Sequence, residues 1–238
     1  MAILKEILKG KLSAKELELV PSSFDIVGNI MIFSDLPSGL KKKEKLIGNE
    51  ILVEFRHVKS VFKKMGKYSG KYRTPKLKLI AGEKIKETIH TENKSRIKLD
   101  VEKVYFSPRS STERKRVFSM VRANESVLVM FSGVGVFPIT IARNSKASEI
   151  YGIEVNPAAH KYALENLKLN KVESVKLFLG DVRKIMPKLG KKFDRILMPL
   201  PKKAEDYLGL ALRAIKKNGT IHFYTFGRKR IMTRSENQ

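Results

Sequence analysis

Two hydrophobic rhythms divide the chain. Up to about residue 105, apolar positions recur at helical spacing in some stretches and at every second residue in others; beyond residue 112, short apolar runs alternate with amphipathic ones. In "MAILKEILKGKLSAKELELV", residues 1–20, Ile3, Ile7 and Leu8 share one helical face, which predicts an amphipathic helix. "SFDIVGNIMIFSDL", 23–36, alternates and is rich in β-branched residues, which predicts two strands turning near Gly28-Asn29. "KKKEKLIGNEILVEF", 41–55, predicts a helix, and residues 59–83 return to strands and loops. "ETIHTENKSRIKLDVEKVYFS", 87–107, predicts a hairpin with its turn near Asn93-Lys94. Residues 1–105 are therefore expected to form a small α+β domain.

From 106 to 238 the expectation is a second domain. "STERKRVFSMVR" reads as a helix, with Ser111 or Thr112 as candidate cap. Strands at 126–130, 149–153, 174–179, 193–198 and 219–225 then alternate with helices at 136–145, 157–168, 182–188 and 203–217. Apolar strand runs separated by helices predict an α/β fold built on a mostly parallel, doubly wound sheet. Such sheets bind ligands beyond the carboxyl ends of their strands.

With 238 residues, 42% hydrophobic and 31% charged, the chain has material for one or two packed domains. The 49 basic residues against 24 acidic ones, a formal charge of +25, point to a polyanionic partner, because a cationic surface gains affinity by releasing phosphate counterions. Nucleic acid is favoured over membrane: no apolar run approaches the ~20 residues of a spanning helix, and the charged N-terminus lacks a signal peptide's apolar segment. Cysteine is absent and the four histidines, His57, His90, His160 and His222, lack ligand spacing, so no metal site is expected.

Candidate chemistry gathers at three successive strand ends. "VLVMFSGVGVF", 127–137, runs from a strand into a loop holding Gly133 and Gly135. Pro138 and Ile139 stand where a dinucleotide fingerprint has its third glycine, so the loop alone could be a plain turn. Glu154 ends the next strand, where a carboxylate can accept both hydroxyls of a ribose or simply meet solvent. Asp181 follows the third strand, where it can meet an adenine amino group or cap a helix. Together the three point to a nucleoside-containing cofactor, and the absence of a Walker-type lysine motif disfavours ATP. A further block, residues 59–78, holds eight basic residues and no acid, interleaved with Phe62, Tyr68 and Tyr72. Its Lys63, Lys64, Lys67 and Tyr72 suit phosphate contact and base stacking, although a solvated cationic hairpin would look the same.

Long collinear stretches from about residue 22 to 226 carry a resemblance: "SFDIVGNI", "GKYRTPKLKLIAGE", "ETIHTENKSRIKLDVEKVYFSPRSSTERKRV", "MFSGVGVFPITIA", "IEVNPAAHKYALENLKLNKV", "FDRILMPLPKKAEDYL" and "IHFYTF". The chain resembles the class I, S-adenosylmethionine-dependent methyltransferases, and more narrowly the archaeal and eukaryotic tRNA guanine-N1 methyltransferases that modify the guanosine 3′ of the anticodon. The resemblance implies a Rossmann-like methyltransferase sheet preceded by a small α+β domain, with tRNA as partner and a cytoplasmic setting. Nothing in the sequence fixes the oligomeric state; a monomer is the simplest expectation.

By the same resemblance Phe131, Gly133, Gly135, Glu154, Asn156 and Asp181 would line the S-adenosylmethionine pocket, with Tyr105 and Arg109 at its border. Guanine N1 carries a proton and is a poor nucleophile until it loses it, so transfer needs a base at N1–H and charge stabilisation at O6. The resemblance implies Glu113 as that base, its pKa raised by desolvation once RNA covers it, although an acidic residue in a helix's first turn is also ordinary dipole complementation. It likewise implies Arg73 near guanine O6, and Arg109 beside the reacting groups. In "MPLP", 198–201, Pro199, Leu200 and Pro201 stand where relatives grip the target base; many carry Asn-Leu-Pro there, so Pro199 removes an amide side chain.

Two departures from the pattern are expected to matter. The roughly 22 residues before the resemblance begins leave no room for the extra N-terminal domain with which some relatives read the outer corner of tRNA. The chain also stops 12 residues after "IHFYTF", where the usual fold adds a hairpin of roughly 30–40 residues. That hairpin is expected to be missing, with the fifth strand's edge left open. The sister enzymes of wybutosine synthesis, which transfer the aminocarboxypropyl group of the same cofactor, look similar, and a non-catalytic RNA-binding protein of the same fold is a further alternative.

Overall fold

A computed structural model of the chain describes residues 3–66, 70–200 and 203–224. The single N-terminal helix expected from the spacing is two: α1 (Ile3–Ile7) and α2 (Ala14–Leu19). A turn at Gly10 ends the first, and a capping box starts the second, Ser13 accepting from the Glu16 N–H at 3.3 Å while the Glu16 carboxylate accepts from the Ser13 N–H at 2.8 Å. The strands β1 (Phe24–Val27) and β2 (Ile30–Phe33) turn at Gly28-Asn29 as expected. The next helix begins as a 3-10 turn over Ser38–Lys43 and becomes α3 (Glu44–Glu54). It leads to β3 (Ser60–Lys64) and β4 (Leu77–Gly82), completing a sheet in the order β1-β2-β3-β4.

Every residue of β2 is buried, because both faces of this sheet are covered. Met31 and Phe33 point into a core with Leu4, Leu8, Leu40, Ile47 and Ile51 from the N-terminal helices. Their neighbours Ile30 and Ile32, with Phe62, point the opposite way and pack with Ile97, Leu99, Val134, Ile139 and Tyr162 from the rest of the chain. The hairpin of β5 (Glu87–Glu92) and β6 (Ser95–Asp100), turning at Asn93-Lys94, lies at this seam.

The C-terminal half follows the expected alternation: α4 (Ser111–Ser119), β7 (Ser126–Val129), α5 (Val136–Asn144), β8 (Glu149–Glu154), α6 (Pro157–Asn170), β9 (Val175–Leu179), α7 (Val182–Lys188), β10 (Phe193–Met198), α8 (Leu208–Ala214) and β11 (Ile215–Phe223). The sheet order is β11-β10-β7-β8-β9 and every pairing is parallel. Alternate residues bury opposite faces: Leu128, Ile153 and Ile196 under α7 and α8, Val127, Val129 and Leu197 under α4 and α5. The last helix is shorter than the 203–217 expected, because Ile215 already pairs with Phe193 in the sheet. Neither Ser111 nor Thr112 caps α4. A 3-10 turn over Pro108–Ser110 leads in, and Ser111 instead receives hydrogen bonds from Asn93 Nδ2 on its carbonyl and hydroxyl, both at 3.2 Å. β11 is an edge strand among the described residues. The expectation of a missing hairpin concerns residues 225–238, which lie outside them.

Polar side chains join the halves. Asn166 and Asn170 of α6 hold the β6 backbone through the Lys98 and Arg96 peptide groups, at 2.6–2.9 Å. Arg114 of α4 forms a two-pronged pair with Glu92 of β5, Nη2 to Oε2 at 2.6 Å, and donates to the Ser107 carbonyl at 3.0 Å. Both side chains are only 3% exposed. Burial alone would raise the Glu92 carboxyl, but hydrogen bonds from His90 and Arg114 outweigh it and hold the group below its ordinary range. Its contribution to stability is therefore present above that range and is lost as pH falls through the folded-state value. Replacing Arg114 with Met leaves a buried carboxylate without its partner and is expected to cost about 3–5 kcal/mol in urea unfolding. The variant's deficit should shrink on acidification, as the unfolding midpoints of the two proteins converge.

Candidate active site

The site forms where β7, β8, β9 and β10 end. β7 runs into a loop in which Gly133 (φ +55°) and Gly135 (φ +82°) both take the left-handed region. That conformation aims the Gly133 N–H at Glu154 Oε2, 2.7 Å away at the end of β8. Gly135 starts α5 so close to α6 that a Cβ there would stand 3.2 Å from the Ala163 Cβ. The glycines thus serve two different needs, a backbone donor turned toward a carboxylate and a close helix approach.

Glu154 Oε1 accepts from the Asn156 N–H at 2.8 Å. Desolvation pushes its carboxyl up, against the pull of these backbone donors. It makes no ion pair among the described residues. Asn156 is engaged at both ends of its amide: its oxygen caps α6 at the Ala158 N–H (3.0 Å) and its nitrogen donates to the Lys103 carbonyl (3.0 Å). Asn156, expected to line the cofactor pocket, borders neither of the two cavities that meet at Phe131. Asp181 caps α7 through the Arg183 N–H at 2.8 Å, the capping role that its position after β9 offered, and it also lines a cavity.

Two cavities meet at Phe131. The larger, about 510 Å³, runs along Val155, Asp181 and Val182 to Leu200, Tyr207 and Arg73. Tyr207 stands edge-on to Phe131 at 5.0 Å, with the Arg183 guanidinium 4.4 Å from its ring centre. The smaller, about 230 Å³, is bounded by Gly133, Phe131 and Ser132 on the loop side, and by Tyr105, Glu113, Pro199 and Tyr224 opposite. The Ser132 hydroxyl is buried with no hydrogen-bond partner.

Glu113 faces the loop across this smaller cavity. It is tied by Arg116, Nη2 to Oε1 at 2.6 Å and Nε to Oε2 at 2.7 Å, and by the Tyr224 hydroxyl, which donates to Oε1 at 2.7 Å. The Arg116 hydrogen bonds dominate, outweigh burial, and hold the carboxyl below its ordinary range; the rise expected of a base belongs to the RNA-covered site. Arg116 sits at i+3 of Glu113, a spacing visible in "TERKR"; nothing in the sequence tied Tyr224 to Glu113, 111 residues away.

Other expected site residues stand elsewhere. Arg109 borders neither cavity but donates to Asp25 of β1 at 2.6 Å. The resemblance implied a place for it at the pocket border, yet the 3-10 turn directs it to the N-terminal sheet. Arg73, itself at φ +52°, holds its guanidinium 5.6 Å from the Tyr105 ring centre, between the two cavities. The basic block is partly spent inside the fold. Lys63 pairs with Glu44, which is buried and also takes Lys78 at 2.9 Å, and Lys64 stands 3.9 Å from Asp25. Tyr72 is exposed beneath Lys71, 5.7 Å from Nζ to the ring centre. Lys67, Tyr68 and Pro201 lie outside the described residues. No group of three potential metal ligands occurs among the described residues, and no helix among them is long and apolar enough to cross a membrane.

Parallel order, glycine loop and successive strand-end carboxylates define a class I methyltransferase-like domain behind an α+β domain. The chain belongs to the TRM5/TYW2 methyltransferase family: the TRM5/TYW2 methyltransferase domain matches residues 88–238, and the TYW2 N-terminal domain matches residues 4–85. The tRNA (guanine(37)-N(1))-methyltransferase Trm5b of Pyrococcus abyssi is 50% identical over 208 residues, covering 87% of this chain and 61% of that protein. The solved complex of aTrm5 and tRNALeu aligns with a TM-score of 0.84 at 36% identity, over 94% of this chain and 66% of that one. Pyrococcus horikoshii TYW2 in complex with MeSAdo aligns at 0.76 and 28% identity, over 98% and 82%. The chain thus spans less than two thirds of the length of the first two.

The paired lysines carry a testable consequence. Lys63→Ala removes one of two cations from the buried Glu44 carboxylate and is expected to lower unfolding free energy by about 1–3 kcal/mol. An unchanged denaturation midpoint would return Lys63 to the surface.

Proposed function

We propose that the chain is a tRNA methyltransferase acting at N1 of the guanosine 3′ of the anticodon, position 37 in the name of the Pyrococcus relative, with S-adenosylmethionine as methyl donor. The observation that carries this reading is Glu113 facing the Gly133 loop across one cavity, beside Tyr105 and Pro199. In this reading residues 1–105 bind RNA and support catalysis, residues 106–238 carry the transferase, and the β5–β6 hairpin is the seam between them. The protein works in the cytoplasm as a monomer.

The residues fit this cofactor. The Glu154 carboxylate accepts a backbone N–H on each oxygen and keeps acceptor capacity for the two ribose hydroxyls. Asp181, Val155 and Val182 would flank an adenine in the larger cavity, with Phe131 between it and the smaller one. The orphaned Ser132 hydroxyl leaves a polar group beside the glycine loop for the methionine portion. When bound, S-adenosylmethionine supplies a methyl group on a positively charged sulfur, which departs as a neutral thioether.

The protein's own task is to make N1 a nucleophile. The guanine would enter the smaller cavity beside Pro199, whose carbonyl replaces the amide side chain found in relatives. Glu113 takes the N1 proton, and the freed lone pair forms the new N–C bond. Arg73, held over Tyr105, lies within a short side-chain movement of this cavity and offsets charge on O6. A base aimed at N1 is worth about a hundred- to ten-thousandfold in rate.

Two measurements test the reading. Calorimetry should register S-adenosylmethionine binding to the wild type, weakened about tenfold or more in Glu154→Ala, which loses a charge-accepted pair of hydrogen bonds; unchanged affinity would remove Glu154 from the pocket. In single-turnover methylation the wild-type rate should rise with pH through one ionisation. Glu113→Gln should be slow and lose that ionisation, while Arg73→Ala should be slow and keep it. A Glu113→Gln enzyme with the wild-type rate and profile would sink the assignment of the base.

Aminocarboxypropyl transfer is the second reading, favoured by Pro199 and by the match of residues 4–85 to the TYW2 N-terminal domain. Mass spectrometry of tRNA after incubation with the cofactor separates the two by the group added, and no added mass would leave an RNA-binding protein.

A further inference from the structure

The proposed base is held in a form unsuited to its work. Guanine N1–H is a weak acid, and a general base is effective when its proton affinity approaches that of the group it deprotonates. Glu113 is instead gripped on both oxygens by the Arg116 fork, and this pair keeps the carboxyl acidic. The other groups facing it among the described residues do not offset the grip. His222 of β11 is pushed down to about 4 by burial and by the charges of Arg195 and Arg116, so it is neutral at working pH. Arg114, on the same helix, is neutralised by Glu92. Tyr105 lies across the cavity and Tyr224 donates its hydroxyl.

The two partners of Glu113 differ in freedom. Arg116 is 52% exposed on a helix whose other face is packed; besides Glu113 it meets the Met120 sulfur, Nη1 at 3.2 Å, and the Tyr224 hydroxyl. Lys115 and Arg122 are basic neighbours in the chain. A guanidinium fork fits a phosphate as well as it fits a carboxylate, so an RNA backbone passing over α4 competes directly for this side chain. Tyr224 is half-buried at the end of β11, and burial together with the Glu113 carboxylate keeps its phenol protonated.

We propose that Arg116 is a substrate-sensing clasp on the base: its guanidinium holds both Glu113 oxygens until a backbone phosphate of bound RNA draws it away, and Tyr224 then keeps one oxygen aimed into the cavity. The clasp rests on Glu113 being the base. Arg116 and Tyr224 are positioning residues in this scheme. Arg116 suppresses the base while the site is empty of RNA, and Tyr224 stops the released carboxylate from swinging out. Proton affinity and substrate presence are thereby linked through one side chain.

The experiment titrates the Glu113 carboxyl carbon by NMR in glutamate-labelled full-length protein, with the resonance assigned by its loss in Glu113→Gln. In the free wild type the midpoint should lie below that of an ordinary glutamate and should rise when an anticodon stem-loop RNA binds. In Arg116→Gln the free midpoint should already be raised, and RNA should add little. A wild-type midpoint unmoved by RNA, or an Arg116→Gln midpoint equal to that of the free wild type, overturns the clasp. The two positioning residues should also separate kinetically. Arg116→Gln should weaken RNA binding and shallow the slope of log affinity against log salt by about one. Tyr224→Phe should keep RNA affinity and slow single turnover about tenfold, the loss of one charge-assisted hydrogen bond; a wild-type rate would remove Tyr224 from the scheme. A slow Glu113→Gln with unmoved midpoints defeats the clasp alone, whereas a fast Glu113→Gln defeats the base reading beneath it.

Discussion

The site depends on a buried ion pair that touches no cavity-facing atom of Glu113. Arg114 and Glu92 meet where the β5–β6 hairpin, the segment after it and α4 converge, and the same guanidinium holds the Ser107 carbonyl. Phe106 and Phe137 pack against the guanidinium, with ring centres 5.4 and 5.9 Å away. Such a pair adds little net stability over an apolar replacement, but breaking it leaves a buried charge. Its effect here is geometric. It fixes the segment carrying Tyr105 and Ser107 on one side of the smaller cavity, and it fixes the first turn of α4, so that Glu113, the preceding residue, faces the glycine loop.

The other wall follows from the parallel sheet. Parallel strands end together at one edge, so the residues just past β7, β8, β9 and β10 become neighbours although the chain separates them widely. Glu154 shows what that edge does to a carboxylate. Burial raises its proton affinity, and the Gly133 and Asn156 N–H groups offset the rise without supplying a full countercharge. The result is a largely buried acceptor at the end of β8, with a backbone donor on each oxygen.

The positive charge of the chain is distributed more selectively than its count implies. Lys63, Lys64 and Lys78 stand near Glu44 or Asp25, and Arg109 closes on Asp25 as well. These contacts knit the N-terminal sheet and bring it to the 3-10 turn before α4. Lys71, Arg73 and Lys203 instead line the larger cavity.

Periodicity alone determined the two-part architecture, the parallel sheet and the three strand ends, because strand and helix rhythms and glycine loops are local properties of a chain. The division of the first helix was legible too, in Gly10 and the Ser13-to-Glu16 capping box, but the apolar spacing of Ile3, Ile7 and Leu8 masked it. The roles of Asn156 and Asp181 were half legible: both are good caps, and only folding shows that Asp181 also lines a cavity while Asn156 is occupied by Lys103. What tertiary structure alone decided is pairing over distance. Glu92 with Arg114, Lys63 with Glu44, Arg109 with Asp25 and Tyr224 with Glu113 join residues between 19 and 111 positions apart. A titratable group's environment is set by whatever packs against it, and the sequence places no distant partner beside it; that is why Glu113 could be named from its motif, with Arg116 three residues on, while the tyrosine that meets the same carboxylate could not.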